Sequence, residues 1–241
     1  MFKSKHARLG FYSSEENNAP IIRIFRIFTL VLYNIIKMIF MRNLLVVLSL
    51  LLLSSTGYCQ LTKEEKTKIT NHLASTLETL SKSVEGLSEA QLNFKPDTSK
   101  WSIKECVYHL AISETNIWAW MQGVMAAPAN PDKRSGIKLT DDQLLAGIED
   151  RSHKIKTSES FEPKNAKWTS KDEAMAFLKT ERQKHIDYLN KSADDFRNHV
   201  AEQGPMGPMD AYQVLLLMSQ HTLRHTKQIE EVKASAGYPA S

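Results

Sequence analysis

Two histidines near the C-terminus, His221 and His225, have the spacing of a metal-binding pair. They lie four residues apart in the segment QHTLRHTKQI, so on a helix their imidazoles lie one above the other on a single face. Two buried imidazoles without partners are costly, and a shared zinc, nickel or similar ion would remove that cost. The alternative is a pair of core histidines bonded to carbonyl or carboxylate groups. The apolar residues that turn this face inward are Val214, Met218, Ile229 and Val232.

A metal ion held by this pair needs a third ligand, and two histidines are candidates. His109 directly precedes Leu110, a core position of an earlier helix, and can therefore point to the edge of the core. His185, on another predicted helix, competes with it. Cys106 lies one turn before His109 and is the alternative fourth ligand, although a small buried hydrophobe is the usual role of a free cysteine. Three protein ligands with an open position are the arrangement of a catalytic metal site.

Two further polar residues lie close to these histidines in sequence. Glu114 follows His109 by five residues, which places it about 140° round the helix and predicts that it faces a neighbouring helix or solvent rather than the metal. Gln228 follows His225 by three residues, so it can orient that imidazole from outside the ligand set. No glycine-rich phosphate loop, serine nucleophile elbow or paired-cysteine motif occurs in the sequence. The sequence identifies no catalytic acid or base.

The elements that must position these residues are predicted to be helices. Residues 60–241 contain five stretches with helical apolar spacing and almost no alternation of period two. The stretch after Thr140 is short and ends at about Thr157, whereas the other four are long enough for a bundle. The sequence therefore predicts an all-α four-helix bundle with one short extra helix that caps one end. Four of the predicted helices begin with a reciprocal capping pair, and the fifth begins near Asp210. The four pairs are Thr62 with Glu65, Ser102 with Glu105, Thr140 with Gln143, and Ser170 with Glu173.

The distribution of charge argues against nucleic acid as a partner. The 241-residue chain has a net charge of +4, but residues 1–59 carry seven basic and two acidic side chains. The remaining residues carry 24 basic and 25 acidic side chains, so the body of the protein is nearly neutral. A basic nucleic-acid-binding face is therefore not predicted.

The N-terminus has the pattern of a targeting segment. A positive stretch at Arg42 precedes the apolar run 44–53, and small residues follow it. We therefore predict a signal peptide over residues 41–59, cleaved between Cys59 and Gln60. Ten apolar residues are too few to span a bilayer, which needs about 20.

Residues 1–40 are predicted to be a leader or a mis-assigned start, with translation beginning at Met41. The competing interpretation is an uncleaved membrane anchor over about residues 27–53. It ranks second because Lys37 and Arg42 would lie inside the membrane, at about 2.5–3.5 kcal/mol each near a helix centre. Cleavage leaves Cys106 as the one cysteine of residues 60–241, so this predicted domain is held by its core and has no internal disulfide.

Two segments resemble the DinB superfamily. Lys95-Pro96 followed by KWSIKECVYHLA, residues 100–111, resembles the family signature kWSi.Ev..HL. HTLRHTKQI, residues 221–229, is similar to the closing helix with its paired histidines. The resemblance covers about residues 65–235 and implies a four-helix bundle in up-down-down-up order. It also implies a metal triad of His109, His221 and His225, which leaves His185 a core or supporting role.

The resemblance to DinB-like and YfiT-like metal-dependent hydrolases implies an enzyme with a divalent metal ion, zinc or nickel being favoured. A divalent ion lowers the pKa of a bound water or thiol and polarises a substrate carbonyl. The family implies two reactions, hydrolysis and transfer of a low-molecular-weight thiol to an electrophile. Because its thiol transferases use cytosolic thiols, an exported protein favours hydrolysis. The alternative from another class is a non-catalytic metal- or ligand-binding protein of the cell envelope.

The partners expected from the sequence follow from these interpretations. We expect a small-molecule substrate, no nucleic acid, and no membrane contact once the signal peptide is removed. The expected location is periplasmic or extracellular, or membrane-anchored if the leader is retained. A homodimer is compatible with the sequence.

The protein made in its native host should begin at Gln60, because the signal pattern ends at the residue before it. Mass analysis of the intact N-terminus measures this directly. A protein that retains residues 1–40 would contradict both the start at Met41 and the cleavage.

Overall fold

The computed structural model describes residues 19–53, 60–152 and 156–240, and it divides the chain into an N-terminal unit and a helical domain that begins at Tyr58. In the N-terminal unit, helix α1 runs over Ala19–Leu53. Its segment Arg23–Leu45 is long and apolar enough to cross a membrane, and its side chains are exposed. A signal sequence and a membrane anchor share these properties. The predicted cleavage site at Cys59 lies outside the described residues.

Six helices form the domain in the described part of the chain. The four long ones are α2 (Lys63–Ser83), α4 (Ile103–Ala126), α6 (Lys171–Lys191) and α7 (Ala211–Lys233). The two short ones are α3 (Glu89–Asn93) and α5 (Asp141–Glu149). Three 3-10 helices occupy Pro131–Gly136, Glu159–Phe161 and Pro163–Asn165. Strands β1 (Val200–Ala201) and β2 (Met209–Asp210) pair antiparallel just before α7.

The helix starts agree with the capping pairs in most cases. Reciprocal capping boxes begin α2, α4 and α5 at Thr62, Ser102 and Thr140, as expected. The pair at Ser170 differs, because the Glu173 carboxylate accepts a hydrogen bond from the backbone N–H of Thr169 at 2.9 Å. The short helix α3, which has its own capping box, was not predicted.

The extra helix α5 is shorter than predicted, since it ends at Glu149 rather than near Thr157. The guanidinium of Arg224 donates a 2.9 Å hydrogen bond to the carbonyl of Ile148 and contacts the carbonyl of Asp150. A side chain from α7 therefore satisfies carbonyl groups at the end of α5, which a longer helix would have used internally.

The directions of the long helices follow from the contacts between them. Along α2 and α7 the residue numbers rise together, as in Thr76 with Ser219 and Ser83 with Glu230, so these helices are parallel. Between α4 and α7 they run oppositely. Val107, early on α4, shares a core cluster with Val232 near the end of α7, whereas the later Met121 shares another cluster with Val214 near the start of α7. The helices α4 and α7 are therefore antiparallel.

Helix α6 completes the order. It is parallel to α4, because Glu114 bonds to Arg182 and the later Trp118 contacts Tyr188. It is antiparallel to α2, because Arg182 bonds to the carbonyl of Leu73 and Lys66, earlier on α2, contacts the carbonyl of Ser192. The bundle is therefore up-down-down-up, as the resemblance implied.

A buried arginine connects the four long helices. Arg182 on α6 is fully buried and forms a bidentate ion pair with Glu114 on α4, at 2.7 and 2.6 Å. Its guanidinium also donates to the carbonyl of Leu73 on α2 at 2.9 Å and to the hydroxyl of Thr222 on α7 at 3.0 Å. Burial alone would raise the pKa of Glu114, but the charge of Arg182 and a bond from His185 hold that pKa below its ordinary value.

The substitution Glu114→Ala should lower the free energy of unfolding by about 3–5 kcal/mol, because it leaves a buried guanidinium without its counter-charge. Urea denaturation at neutral pH measures the loss. The matched control is Glu78→Ala, which removes an exposed carboxylate paired with Lys82 and should have little effect. Equal stabilities of the two variants would contradict the structural role of the buried pair.

Candidate metal centre

Three histidines from two antiparallel helices meet at one point. His109 on α4 lies against His221 and His225, which occupy successive turns of α7. One ligand nitrogen from each lies within 4.8 Å of the others. The Nε2 atom of His221 is 3.2 Å from Nε2 of His109 and 3.1 Å from Nε2 of His225. The structure thus brings together the three residues that the resemblance selected.

Hydrogen bonds outside this cluster fix the orientation of two imidazoles. The Nδ1–H group of His109 donates to the backbone carbonyl of Phe161 at 2.8 Å. The Nδ1–H group of His225 donates to the side-chain oxygen of Gln228 at 2.9 Å. With the proton on Nδ1, the lone pair of each neutral imidazole is on Nε2 and faces the centre. The predicted role of Gln228 agrees with this contact, whereas the role of Phe161 was missed because a backbone acceptor has no sequence signature.

The distances between the nitrogens fit a divalent metal ion. With metal–nitrogen bonds of about 2.0–2.1 Å, ligands at a tetrahedral angle lie about 3.3–3.4 Å apart and ligands at a right angle about 2.9 Å apart. The observed 3.1 and 3.2 Å lie between these limits. His221 can donate one proton through Nε2, so it can satisfy one of its two neighbours. An ion at this point would satisfy all three lone pairs.

Burial keeps the three imidazoles neutral. It lowers the pKa of His109 to about 4, and it lowers the pKa of His221 and of His225 well below the ordinary value. A histidine with a lowered pKa is uncharged at neutral pH and has a lone pair on one ring nitrogen, which is the form that binds a metal ion.

The other candidate ligands lie elsewhere. His185 bonds through Nδ1 to Glu114 at 2.9 Å and stacks on Trp118 with ring centroids 3.8 Å apart, so it belongs to the buried Arg182 network. Glu114 faces a neighbouring helix, as predicted. Cys106 is packed in the apolar core, where burial raises the pKa of its thiol to about 12. It is outside the three-histidine group and has the role of a small core residue.

A cavity of about 1300 Å³ opens onto the histidines. Its aromatic wall includes Trp101, whose ring centroid is 4.7 Å from that of His109 and 5.9 Å from that of His225. The ring of Phe161 also packs near His109, with centroids 6.4 Å apart. Apolar and aromatic walls around a few polar groups are typical of small-molecule sites. The charged residues in the lining are Lys100, Arg151, Lys156, Glu162, Arg224 and Glu231.

Together, the bundle order and the three-histidine cluster define a class of helical proteins with a histidine-lined centre between two helices. The family model of the DinB superfamily matches residues 72–229, and the chain belongs to this superfamily. Its fold is similar to that of YfiT from Bacillus subtilis, described as a probable metal-dependent hydrolase with an unusual four-helix bundle topology. The TM-score is 0.51 at 19% identity, over 74% of this chain and 91% of YfiT. No curated protein sequence is similar enough to this chain to give a match.

Removing a histidine of the cluster should remove the metal. We expect His221→Ala and His225→Ala each to abolish most zinc binding, and His109→Ala to weaken it strongly, because two nitrogens hold an ion less well than three. Titration with zinc of protein purified without a histidine tag measures the affinity. The matched control is His185→Ala, a buried histidine outside the cluster. If His185→Ala lost the metal while His109→Ala kept it, the assignment of the third ligand would be wrong.

Proposed function

We propose that this protein is an exported metal-dependent enzyme, with zinc or nickel at the three-histidine centre, and that it hydrolyses a small molecule. The observation that carries the proposal is the convergence of three Nε2 lone pairs at the wall of a large cavity. Among the described residues, the group of possible ligands contains these three and no fourth. Such a donor set leaves a coordination position for a reactant.

Each group around the centre has a definite task in this proposal. When bound, a divalent ion supplies Lewis acidity, which polarises a carbonyl and lowers the pKa of a coordinated water or thiol. Phe161 and Gln228 hold two of the imidazoles with their Nε2 atoms inward. Trp101 packs against both of these imidazoles, tilted on His109 and stacked on His225, and limits the rotation of their rings. The cationic side chains of the lining favour a substrate that carries negative charge.

The second candidate function is the transfer of a thiol to an electrophile. Drug-sized ligands occupy pockets of about 300–1,000 Å³, and this cavity has about 1300 Å³, so there is room for two reactants side by side. The proposed export favours hydrolysis over thiol transfer, because low-molecular-weight thiols are scarcer outside the cytosol. The length and hydropathy of Arg23–Leu45 support this export.

The cobalt-substituted protein should change its visible spectrum when azide is added, because a three-histidine centre has a position for an exogenous ligand. Cys106→Ser should leave the resting spectrum and the azide response unchanged, since that thiol lies outside the cluster. A resting spectrum with thiolate character that is lost in Cys106→Ser and indifferent to azide would mean a closed structural site.

Turnover by the zinc and nickel forms separates the candidate functions. Ester and amide panels report hydrolysis, and thiols paired with electrophiles report transfer. We expect hydrolysis that disappears in His221→Ala. Thiol conjugation without hydrolysis would support the second candidate. Ligand binding detected by fluorescence, without turnover in any panel, would mean a binding protein.

A further inference from the structure

An ion pair is connected to the imidazole of His225 through the side-chain amide of Gln228. Arg151, two residues after α5, bonds through Nε and Nη2 to the two carboxylate oxygens of Glu231 on α7, each at 2.6 Å. A bidentate pair of this kind fixes the plane of the guanidinium. The Nη1 atom of Arg151 then lies 3.3 Å from the side-chain oxygen of Gln228. That same oxygen accepts the 2.9 Å hydrogen bond from His225.

The chemistry of these groups determines where the proton on His225 lies. Arginine has only donors, so the atom of the Gln228 amide that faces Arg151 must be the oxygen. Because this oxygen also faces Nδ1 of His225, that nitrogen must be the protonated one. A neutral imidazole with its proton on Nδ1 has its lone pair on Nε2, the atom that faces His221 and His109.

We propose that Arg151 is a positioning residue that sets the tautomer of His225. It holds the Gln228 oxygen toward Nδ1, and thereby keeps Nε2 of His225 available as a ligand. The effect of Arg151 on metal affinity rests on the proposed function, which requires a metal ion at the three histidines. The tautomer itself is a property of the ion-free protein and can be measured without metal.

The removal of Arg151 frees the Gln228 amide to rotate by half a turn. The amide NH₂ group, which is a donor, would then face Nδ1 of His225. Nδ1 would become an acceptor, and the imidazole proton would move to Nε2, where it blocks ligation. In known metal sites, substituting a residue that hydrogen-bonds to a metal ligand lowers the metal affinity by about 10–100-fold.

The experiment compares the imidazole nitrogen spectra of ion-free wild type and Arg151→Ala, followed by zinc titration. We expect wild-type His225 in the Nδ1–H form, and Arg151→Ala to shift it toward the Nε2–H form and to weaken zinc binding by about tenfold or more. The matched control is Lys227→Ala, which removes another ion pair between α7 and α5, with Glu149, and leaves Gln228 untouched. The control should keep the wild-type tautomer and affinity.

A rescue variant tests the amide itself. In Arg151→Ala/Gln228→Glu the carboxylate has two acceptor oxygens, so rotation changes nothing and the Nδ1–H tautomer should return. The proposal is overturned if Arg151→Ala keeps the wild-type tautomer, if Lys227→Ala shifts it equally, or if the double variant is not rescued. A wild type that shows the tautomer pattern but binds no zinc would contradict the proposed function and leave the role of Arg151 intact.

Discussion

A buried nitrogen lone pair is tolerated when it faces a proton or a metal ion, and three such lone pairs meet between α4 and α7. His221 can offer a proton to one neighbour, whereas an ion satisfies all three nitrogens. This cluster of imidazoles forms only if one turn of α4 packs opposite two successive turns of α7, so that His109 contacts both His221 and His225. The antiparallel packing of these two helices provides this arrangement.

The interior of the bundle holds α4 and α7 in that register. Arg182 bonds to a carboxylate on α4, to a carbonyl on α2 and to Thr222, the neighbour of His221 on α7. One guanidinium therefore links all four long helices close to the three-histidine cluster. A buried ion pair adds little stability compared with apolar packing, and its best-attested use is to specify one arrangement over others. This role fits a bundle in which a shift by one turn would separate His109 from its partners.

The sequence predicted the parts of the molecule that depend on local patterns. Apolar spacing and capping pairs located the long helices, and the spacing of His221 and His225 located the pair of ligands. The choice of His109 over His185 came from the family resemblance, because both lie on inward helix faces. The Phe161 carbonyl, the Glu114–Arg182 pair and the early end of α5 at Arg224 depend on contacts between segments distant in sequence, for which no local pattern exists.

The two bidentate arginine pairs have different physical roles because their surroundings differ. Arg182 is enclosed in the core, where an unpaired partner is strongly destabilising. Arg151 lies at the edge of the cavity and is partly exposed, and there an ion pair contributes only about 0–1 kcal/mol to stability. Its side chain nevertheless has a fixed orientation, which it transmits through one amide to a ligand nitrogen. This pair orients the Gln228 amide and thereby determines which nitrogen of His225 carries the proton. It can therefore affect metal binding without adding to the stability of the fold.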